Sequence, residues 1–487
     1  MTRVGEMSRR ELLRAAGLGA AAIASSGAGA FAQGRRLPNI VFIMADDLGY
    51  ADVSCYGRPD YKTPGVDGLA ATGVRFTQAY ANSAVCSATR TALITGRYQY
   101  RLRVGLEEPL VTNPVGLPRE HPTLPSLLRT RGYATALVGK WHLGQLPAFG
   151  PLKSGYDHFY GFRGGAIDYY SHRNRGQDDL WDGDVLVHQS GYMTELLGAR
   201  AATVVEQLAS AGRPFFVSLH FNAPHWPWEA PGDEAESRRI GDGALGDFDG
   251  GSQRTYQRMV EAMDAEVAHV LQVLERSGVR ENTIVVFTSD NGGERFSATW
   301  PFTGRKTELL EGGLRIPAIV SWPANLPQGL TSQQVMITMD WLPTLLAAAG
   351  GSPDAQYPPD GMNLLPLMNR NAAEVARTLY WRYKANAQRA IRDGDWKYLK
   401  ILDNEFLFNV VDDPMERANQ KTRQRDIFDR LVSKWHAWNT TMIPEVDESF
   451  TSANTGDTWA DHIGAQEATG KADIPAPAPP TSPSRTP

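Results

Sequence analysis

At 487 residues the chain is too long for one simple core, so one large domain with a smaller one attached is expected. Its 49 basic and 54 acidic side chains nearly cancel, at net −5, which excludes a global field that draws nucleic acid or anionic membrane; any handling of anions must be local. With only Cys55 and Cys86, a disulfide framework is excluded as well.

The first stretch is Ser8-Arg9-Arg10-Glu11-Leu12-Leu13, followed by a weakly apolar Ala/Gly-rich run from Ala15 to Ala30 and the small-x-small pattern Ala30-Phe31-Ala32. This reads as a twin-arginine export signal over residues 1–32, because the run is too short and too rich in glycine to make a stable membrane anchor. Export machinery of that type is therefore an expected partner. The mature chain would begin near Gln33 and work in the periplasm or outside the cell.

Five short apolar runs then read as strands, and four of them end in polar residues of unusual chemistry. Ile40 to Met44 ends in Asp46-Asp47. Ala134 to Val138 ends in Gly139-Lys140-Trp141-His142. Phe215 to Phe221 ends in Asn222-Ala223-Pro224-His225. Thr283 to Phe287 ends in Ser289-Asp290-Asn291-Gly292-Gly293. The fifth run, Ala318 to Trp322, has no such tail. Continuous rather than alternating apolar runs indicate strands covered on both faces, as in a mostly parallel sheet. Helical segments lie between them, at Leu124 to Thr130, Tyr192 to Ala209 and Arg254 to Ser277, so the class is α/β, a large sheet flanked by helices. In such sheets ligands bind beyond the carboxyl ends of the strands, where all four polar tails lie.

Cys86 falls between the turn-like Ala81-Asn82-Ser83-Ala84 and an apolar helical run, so it should open a helix. Helix N-termini favour negative charge, and Arg90 one turn on adds a positive one. A cysteine at a helix start is also a common small buried residue, so its neighbours must decide.

Near Asp360 the pattern changes. Thr378 to Tyr383, Ala387 to Arg392 and Trp396 to Leu402 read as a hairpin-rich antiparallel sheet turning at Arg392-Asp393-Gly394-Asp395, and Gln424 to Trp438 as a helix. The expected domains are catalytic over 33–370, a smaller α+β unit over 371–464, and an Ala/Pro/Ser-rich disordered tail over 465–487.

Asp46, Asp47, Asp290 and Asn291 are hard oxygen donors that suit Ca²⁺ or Mg²⁺ rather than zinc. Each pair alone is also what a polar strand end looks like; two pairs on one sheet edge favour the metal. Arg90, Lys140 and Lys306 would match the oxygens of an anionic substrate, and His142 and His225 can exchange protons near neutral pH. That set suits sulfuryl or phosphoryl transfer.

These motifs resemble those of the formylglycine-dependent type I sulfatases of the alkaline phosphatase superfamily, across nearly all of the mature chain. Cys86-Ser87-Ala88-Thr89-Arg90 is similar to the modification signature in which the Cys becomes formylglycine, with Ala88 where that family usually carries Pro. Gly139-Lys140-Trp141-His142-Leu143-Gly144, Ser289-Asp290-Asn291-Gly292-Gly293 and the run from Gly304 to Pro317 resemble three further signatures. The resemblance implies a sulfatase with Ca²⁺, or Mg²⁺, on Asp46, Asp47, Asp290, Asn291 and modified Cys86, and a formylglycine-generating maturation enzyme as partner. It implies that a hydroxyl of hydrated formylglycine attacks sulfur, that Arg90 and Lys140 steady it, and that His225 and Lys306 bind sulfate and protonate the leaving alcohol. His142 would take the proton of the second hydroxyl and so expel sulfate.

Gly165 to His172 is similar to a stretch in arylsulfatase B type enzymes, which remove the 4-sulfate of N-acetylgalactosamine, so the expected substrate is a sulfated carbohydrate, with an aryl sulfate or other sulfated small molecule the alternative, and Asp168, Tyr169 and Trp226 against it. Trp226 and Trp228 either stack on a ring or pack a loop. Two other functions are weighed: a phosphonate monoester or phosphodiester hydrolase of the same superfamily, and a non-catalytic binder of sulfated glycan if Cys86 stays a thiol.

Overall fold

The computed structural model describes residues 36–110, 114–242, 250–370 and 372–445. The expected export signal, the tail and residues 446–464 of the expected C-terminal unit lie outside the described residues. No helix among the described residues is long and apolar enough to cross a membrane.

The compact unit that begins at Pro38 is built on a ten-stranded sheet. Its centre is four parallel strands, β1 (Asn39–Ala45), β2 (Ala134–Lys140), β3 (Phe215–His220) and β4 (Thr283–Ser289), side by side in the order β2-β3-β1-β4. The continuous apolar runs are the reason these strands are central, since both faces are covered and nearly every residue is buried. Val41, Ile43, Val217, Val285 and Phe287 point into one layer, which holds the helices Met193–Ser210 and Gln253–Arg276. The longer helix meets the sheet with Tyr256, Met259, Val260, Met263, Val267 and Val270, a three- and four-residue spacing that makes one apolar stripe. On the other face Phe42 packs edge-on against Trp341 of the helix Trp341–Ala348. Outside β4 the sheet turns mixed, because β5 (Ala318–Ser321) and Val74–Phe76 each run antiparallel to the strand before.

The C-terminal part is a four-stranded antiparallel sheet, Thr378–Tyr383, Gln388–Asp393, Trp396–Ile401 and Asn404–Asn409 in sequential order. The two-residue side-chain period divides it cleanly. Ala390, Leu399 and Phe408 face Tyr80, Leu309, Leu314 and Ile337 of the larger layer, while Ile391, Tyr398 and Leu407 take Phe428, Leu431 and Trp435 from the helix Arg425–Asn439. Between the sheets Lys397 bridges Glu311 and Glu416 at 3.0 and 2.9 Å, and Arg315 holds the other oxygen of Glu311 at 2.6 Å, with all four side chains buried.

Candidate active site

Register alone brings the polar tails together. Met44 pairs with His220, Ala45 with Ser289 and His220 with Gly139, so the four central strands end level. Backbone bonds continue past those ends, from Phe221 N–H to the Met44 carbonyl, from Asp46 N–H to Ala223 and from Asp290 N–H to Ala45. Asp47 and His142 have φ of 61° and 55°, a left-handed conformation that non-glycine residues adopt at a cost and that clusters at functional sites. Gly139, at φ 113°, is forced by closeness: a Cβ there would lie 1.8 Å from the His220 carbonyl oxygen.

Cys86 is the first residue of the helix Cys86–Thr95, all ten residues of which are buried. Thr89 Oγ1 accepts from the Ser83 N–H at 3.0 Å and donates to the Ser83 carbonyl at 3.1 Å, which ties the loop before Cys86 to the helix. One turn on, Arg90 donates from Nε and Nη2 to Asp290 Oδ2 at 3.1 and 2.9 Å. Lys140 Nζ donates to Asp46 Oδ2 at 2.6 Å, and Lys306 Nζ to Asp47 Oδ2 at 2.6 Å. Asn291 Nδ2 donates to Asp47 Oδ1 at 2.7 Å, and the Asp47 N–H to Asp290 Oδ1 at 3.1 Å. Asp46 Oδ1 and Asn291 Oδ1 are buried and accept no hydrogen bond.

Those two oxygens, with no hydrogen bond to satisfy them, mark where a cation fits. Ligating atoms of Asp46, Asp47, Cys86 and His225 all lie within 4.8 Å of one another, and Asp290 and Asn291 add oxygen donors beside them. Burial pushes the Asp46 carboxyl well up, more than Lys140 pulls it down; a divalent cation would relieve that strain. Burial acts on Asp290 in the same sense, but Arg90 and Lys140 outweigh it and hold the group below the ordinary carboxylate range. Burial also raises the Cys86 thiol, so the unmodified side chain is a poor nucleophile near neutral pH.

The histidines are held neutral. His225 lies well below its ordinary 6.5 through burial and then the charges of Lys306 and Lys140. Its Nδ1–H donates to the Trp226 carbonyl at 2.6 Å, and its Nε2 faces Lys306 Nζ at 3.1 Å, which fixes one tautomer. Burial works to lower Lys306, but Asp47 and its other anionic neighbours outweigh it, so the proton stays on the ammonium. His142 is lowered by burial first, with Lys140 and Arg90 acting the same way and Glu108 opposing them.

Cys86, Arg90, Lys140, His142, His225, Lys306, Asp46, Asp47, Asp290 and Asn291 therefore gather as expected at one edge. Asp168 and Tyr169 do not face it. Asp168 Oδ1 accepts from the N–H groups of Tyr170 and Ser171 at 2.9 and 2.7 Å and from Ser237 Oγ at 2.8 Å. Tyr169, fully buried, donates its hydroxyl to the His225 and Asn222 carbonyls at 2.8 and 3.1 Å. Both belong to the wall that carries His225, together with buried Glu229, whose carboxyl burial and Asp168 push up to about 9. Trp226 is partly exposed; its ring lies 4.3 Å from that of His225 and 5.9 Å from Lys306 Nζ. Trp228 is buried against Phe296 and packs the loop.

A cleft beside Cys86 is lined by Ser87, Ala88, Glu108, Arg382, Tyr383 and Lys384. None of the last four was singled out from sequence. Glu108 sits in an aperiodic loop 34 positions before His142, and the other three are the last two residues of the strand Thr378–Tyr383 and the residue after it, so no spacing pattern announces them.

Comparison with known proteins agrees with this geometry. Residues 38–352 match the family model described as Sulfatase, and residues 304–439 the model described as N-sulphoglucosamine sulphohydrolase, C-terminal. The chain is 32% identical to N-acetylgalactosamine-6-sulfatase of Canis lupus familiaris over 412 residues, covering 79% of this chain and 74% of that one. It is likewise 32% identical to arylsulfatase A of Homo sapiens, covering 71% and 70%. Among solved structures, Ps i-CgsB superposes with a TM-score of 0.77 at 29% identity, covering 88% of this chain and 98% of that one. The same protein has been solved in complex with k-i-k-neocarrahexaose.

Proposed function

Because the chain belongs to the sulfatase family and is a sulfuric ester hydrolase, we propose that it removes sulfate from a sulfated carbohydrate through formylglycine made from Cys86. The divalent cation is Ca²⁺, with Mg²⁺ the alternative for the same donors, held by Asp46, Asp47, Asp290 and Asn291 beside residue 86. The observation that carries this reading is the gathering of Cys86 with two carboxylates inside 4.8 Å, next to buried oxygens that accept no hydrogen bond. The carbohydrate rests on the N-acetylgalactosamine-6-sulfatase relative and on the neocarrahexaose complex of Ps i-CgsB.

Hydrated formylglycine would supply two geminal hydroxyls, and a cation held by Asp46, Asp47, Asp290 and Asn291 would supply Lewis-acid activation beside them. The protein's own groups do the rest. Arg90 and Lys140 fix Asp290 and Asp46 and place positive charge where the sulfuryl oxygens gain negative charge. Lys306, whose proton stays on the ammonium in the resting site, would donate it directly to the departing alkoxide beside His225, leaving a neutral amine. His142, neutral and buried, accepts the proton whose removal releases sulfate.

Cys86, Ser87 and Ala88 are at most 7% exposed, so a maturation enzyme must read them before the chain folds. Twin-arginine export, which carries folded cargo, would then follow modification. Ala88 lines the cleft, so the residue standing in place of the usual Pro sits where substrate enters. The test is release of inorganic sulfate from sulfated mono- and oligosaccharides set against turnover of an aryl phosphodiester. Sulfate release with the higher kcat/KM supports the reading; a large preference for the phosphodiester overturns it.

A further inference from the structure

His142 is gripped from two sides. On one side the backbone of Gly165 comes so close that a Cβ there would lie 2.6 Å from the imidazole Cε1 and 2.7 Å from Nε2. On the other, Nε2 lies 3.3 Å from Glu108 Oε1, and the Glu108 side chain is 24% exposed where the cleft opens. The imidazole is itself 1% exposed and stands on a left-handed backbone, so its own chain leaves it little freedom. Nδ1 and Nε2 are both buried without a hydrogen-bond partner among the described residues, so the 3.3 Å approach of Glu108 is an ion-pair contact at Nε2 rather than a formed hydrogen bond.

A carboxylate accepts from an N–H and does not donate, so Glu108 at 3.3 Å favours the single proton of neutral imidazole on Nε2. Nδ1 is thereby left with its lone pair free. The charged groups acting on His142 are Glu108, Lys140 and Arg90, and those acting on Glu108 are His142, Lys306 and Lys140, with the Tyr383 phenol beside it. Glu108 is thus an anion set against the two cations Lys140 and Arg90 at the ring. Burial works to raise the Glu108 carboxyl, but His142 and the two lysines outweigh it, and it stays ionised near neutral pH.

We propose that Glu108 is the positioning residue for His142: its carboxylate holds the ring in the Nε2–H tautomer and stabilises the imidazolium that forms when Nδ1 accepts a proton. The proposal rests on the reading of His142 as the base that releases sulfate. The proton enters at Nδ1, the Nε2–H stays where it is, and the new positive charge faces a carboxylate 3.3 Å away instead of two cations alone. Glu108 touches no reacting atom in this scheme. It acts through the ring.

The test uses intact protein with ¹⁵N-labelled histidine, the His142 signal being assigned by its loss in His142→Gln. The wild type should show protonated Nε2 and bare Nδ1. Glu108→Gln, which keeps an oxygen acceptor and loses the charge, should keep that tautomer and lower the His142 midpoint by about one unit or more. Glu108→Ala should give a mixture of tautomers. In the pH profile of kcat the acidic limb should move to lower pH in Glu108→Gln, with the plateau falling about tenfold or more and KM changing less. An unchanged midpoint and an unmoved limb in Glu108→Gln overturn the proposal, and this variant carries the test if Glu108→Ala does not fold. A shifted NMR midpoint with an unmoved kinetic limb overturns the role of His142 as base, and with it that of Glu108, while leaving sulfate release by the enzyme standing.

Discussion

Lys140 is fully buried and its ammonium is 2.6 Å from Asp46, so its replacement leaves a carboxylate uncompensated inside the protein. Breaking such a pair costs about 3–5 kcal/mol. Lys140→Ala should lose that much in urea unfolding with a chelator present and distinctly less with saturating Ca²⁺, because the cation supplies the charge Asp46 then lacks; an equal loss in both buffers argues against a cation beside Asp46. Turnover should fall at least about a hundredfold, since in the proposed reaction positive charge would be removed from beside the sulfuryl oxygens. At this scale most of the site was legible in the sequence: carboxylates, lysines and histidines directly after apolar runs are chemically conspicuous. Sequence likeness locates the Asp168 loop but not the direction of its side chain, whose Oδ1 accepts from its own loop and from Ser237. Glu108 went unnoticed because its significance lies wholly in a through-space contact.

The strands deliver these groups only if their ends stay level. Gly139, one residue before Lys140, is where that depends on the absence of a side chain: Gly139→Ala would press a Cβ onto the His220 carbonyl in a left-handed conformation. The expected cost is more than about 2 kcal/mol, read as a lower denaturation midpoint, together with lost turnover from a displaced Lys140. An unchanged midpoint would mean that β2 and β3 are less tightly matched than the register shows. The central strands were readable because runs such as Val285-Val286-Phe287 need apolar cover on both faces. The strand Asn404–Asn409 was not singled out, and its pairing with Trp396–Ile401 is a tertiary fact.

Across the whole molecule, the proposed cation and the buried charges between the two sheets are expected to contribute to stability. A chelator should lower both melting temperature and activity, and added Ca²⁺ should restore them, because a ligand of the native state stabilises it by mass action; no response in either would count against the oxygen site. Burial works to raise Glu311, but Lys397, Arg315 and Arg392 outweigh it and hold the carboxyl far below its ordinary 4.5. A depressed carboxyl contributes stability that is complete above 4.5 and is lost as pH falls below it toward the folded value. The wild type should therefore exceed Glu311→Gln in melting temperature near neutral pH, by a margin that shrinks as the solution is acidified below that point; a margin independent of pH would contradict the assignment.

The proposed catalysis requires that Cys86 cease to be a cysteine. Peptide mass mapping of protein purified from its native host, run beside kcat on the same preparations, measures this directly. The predicted result is a Cys86 peptide lighter by the exchange of CH₂SH for CHO, with kcat proportional to the modified fraction and Cys86→Ala folded but inactive. Full sulfatase turnover from protein whose Cys86 remains a thiol would contradict it.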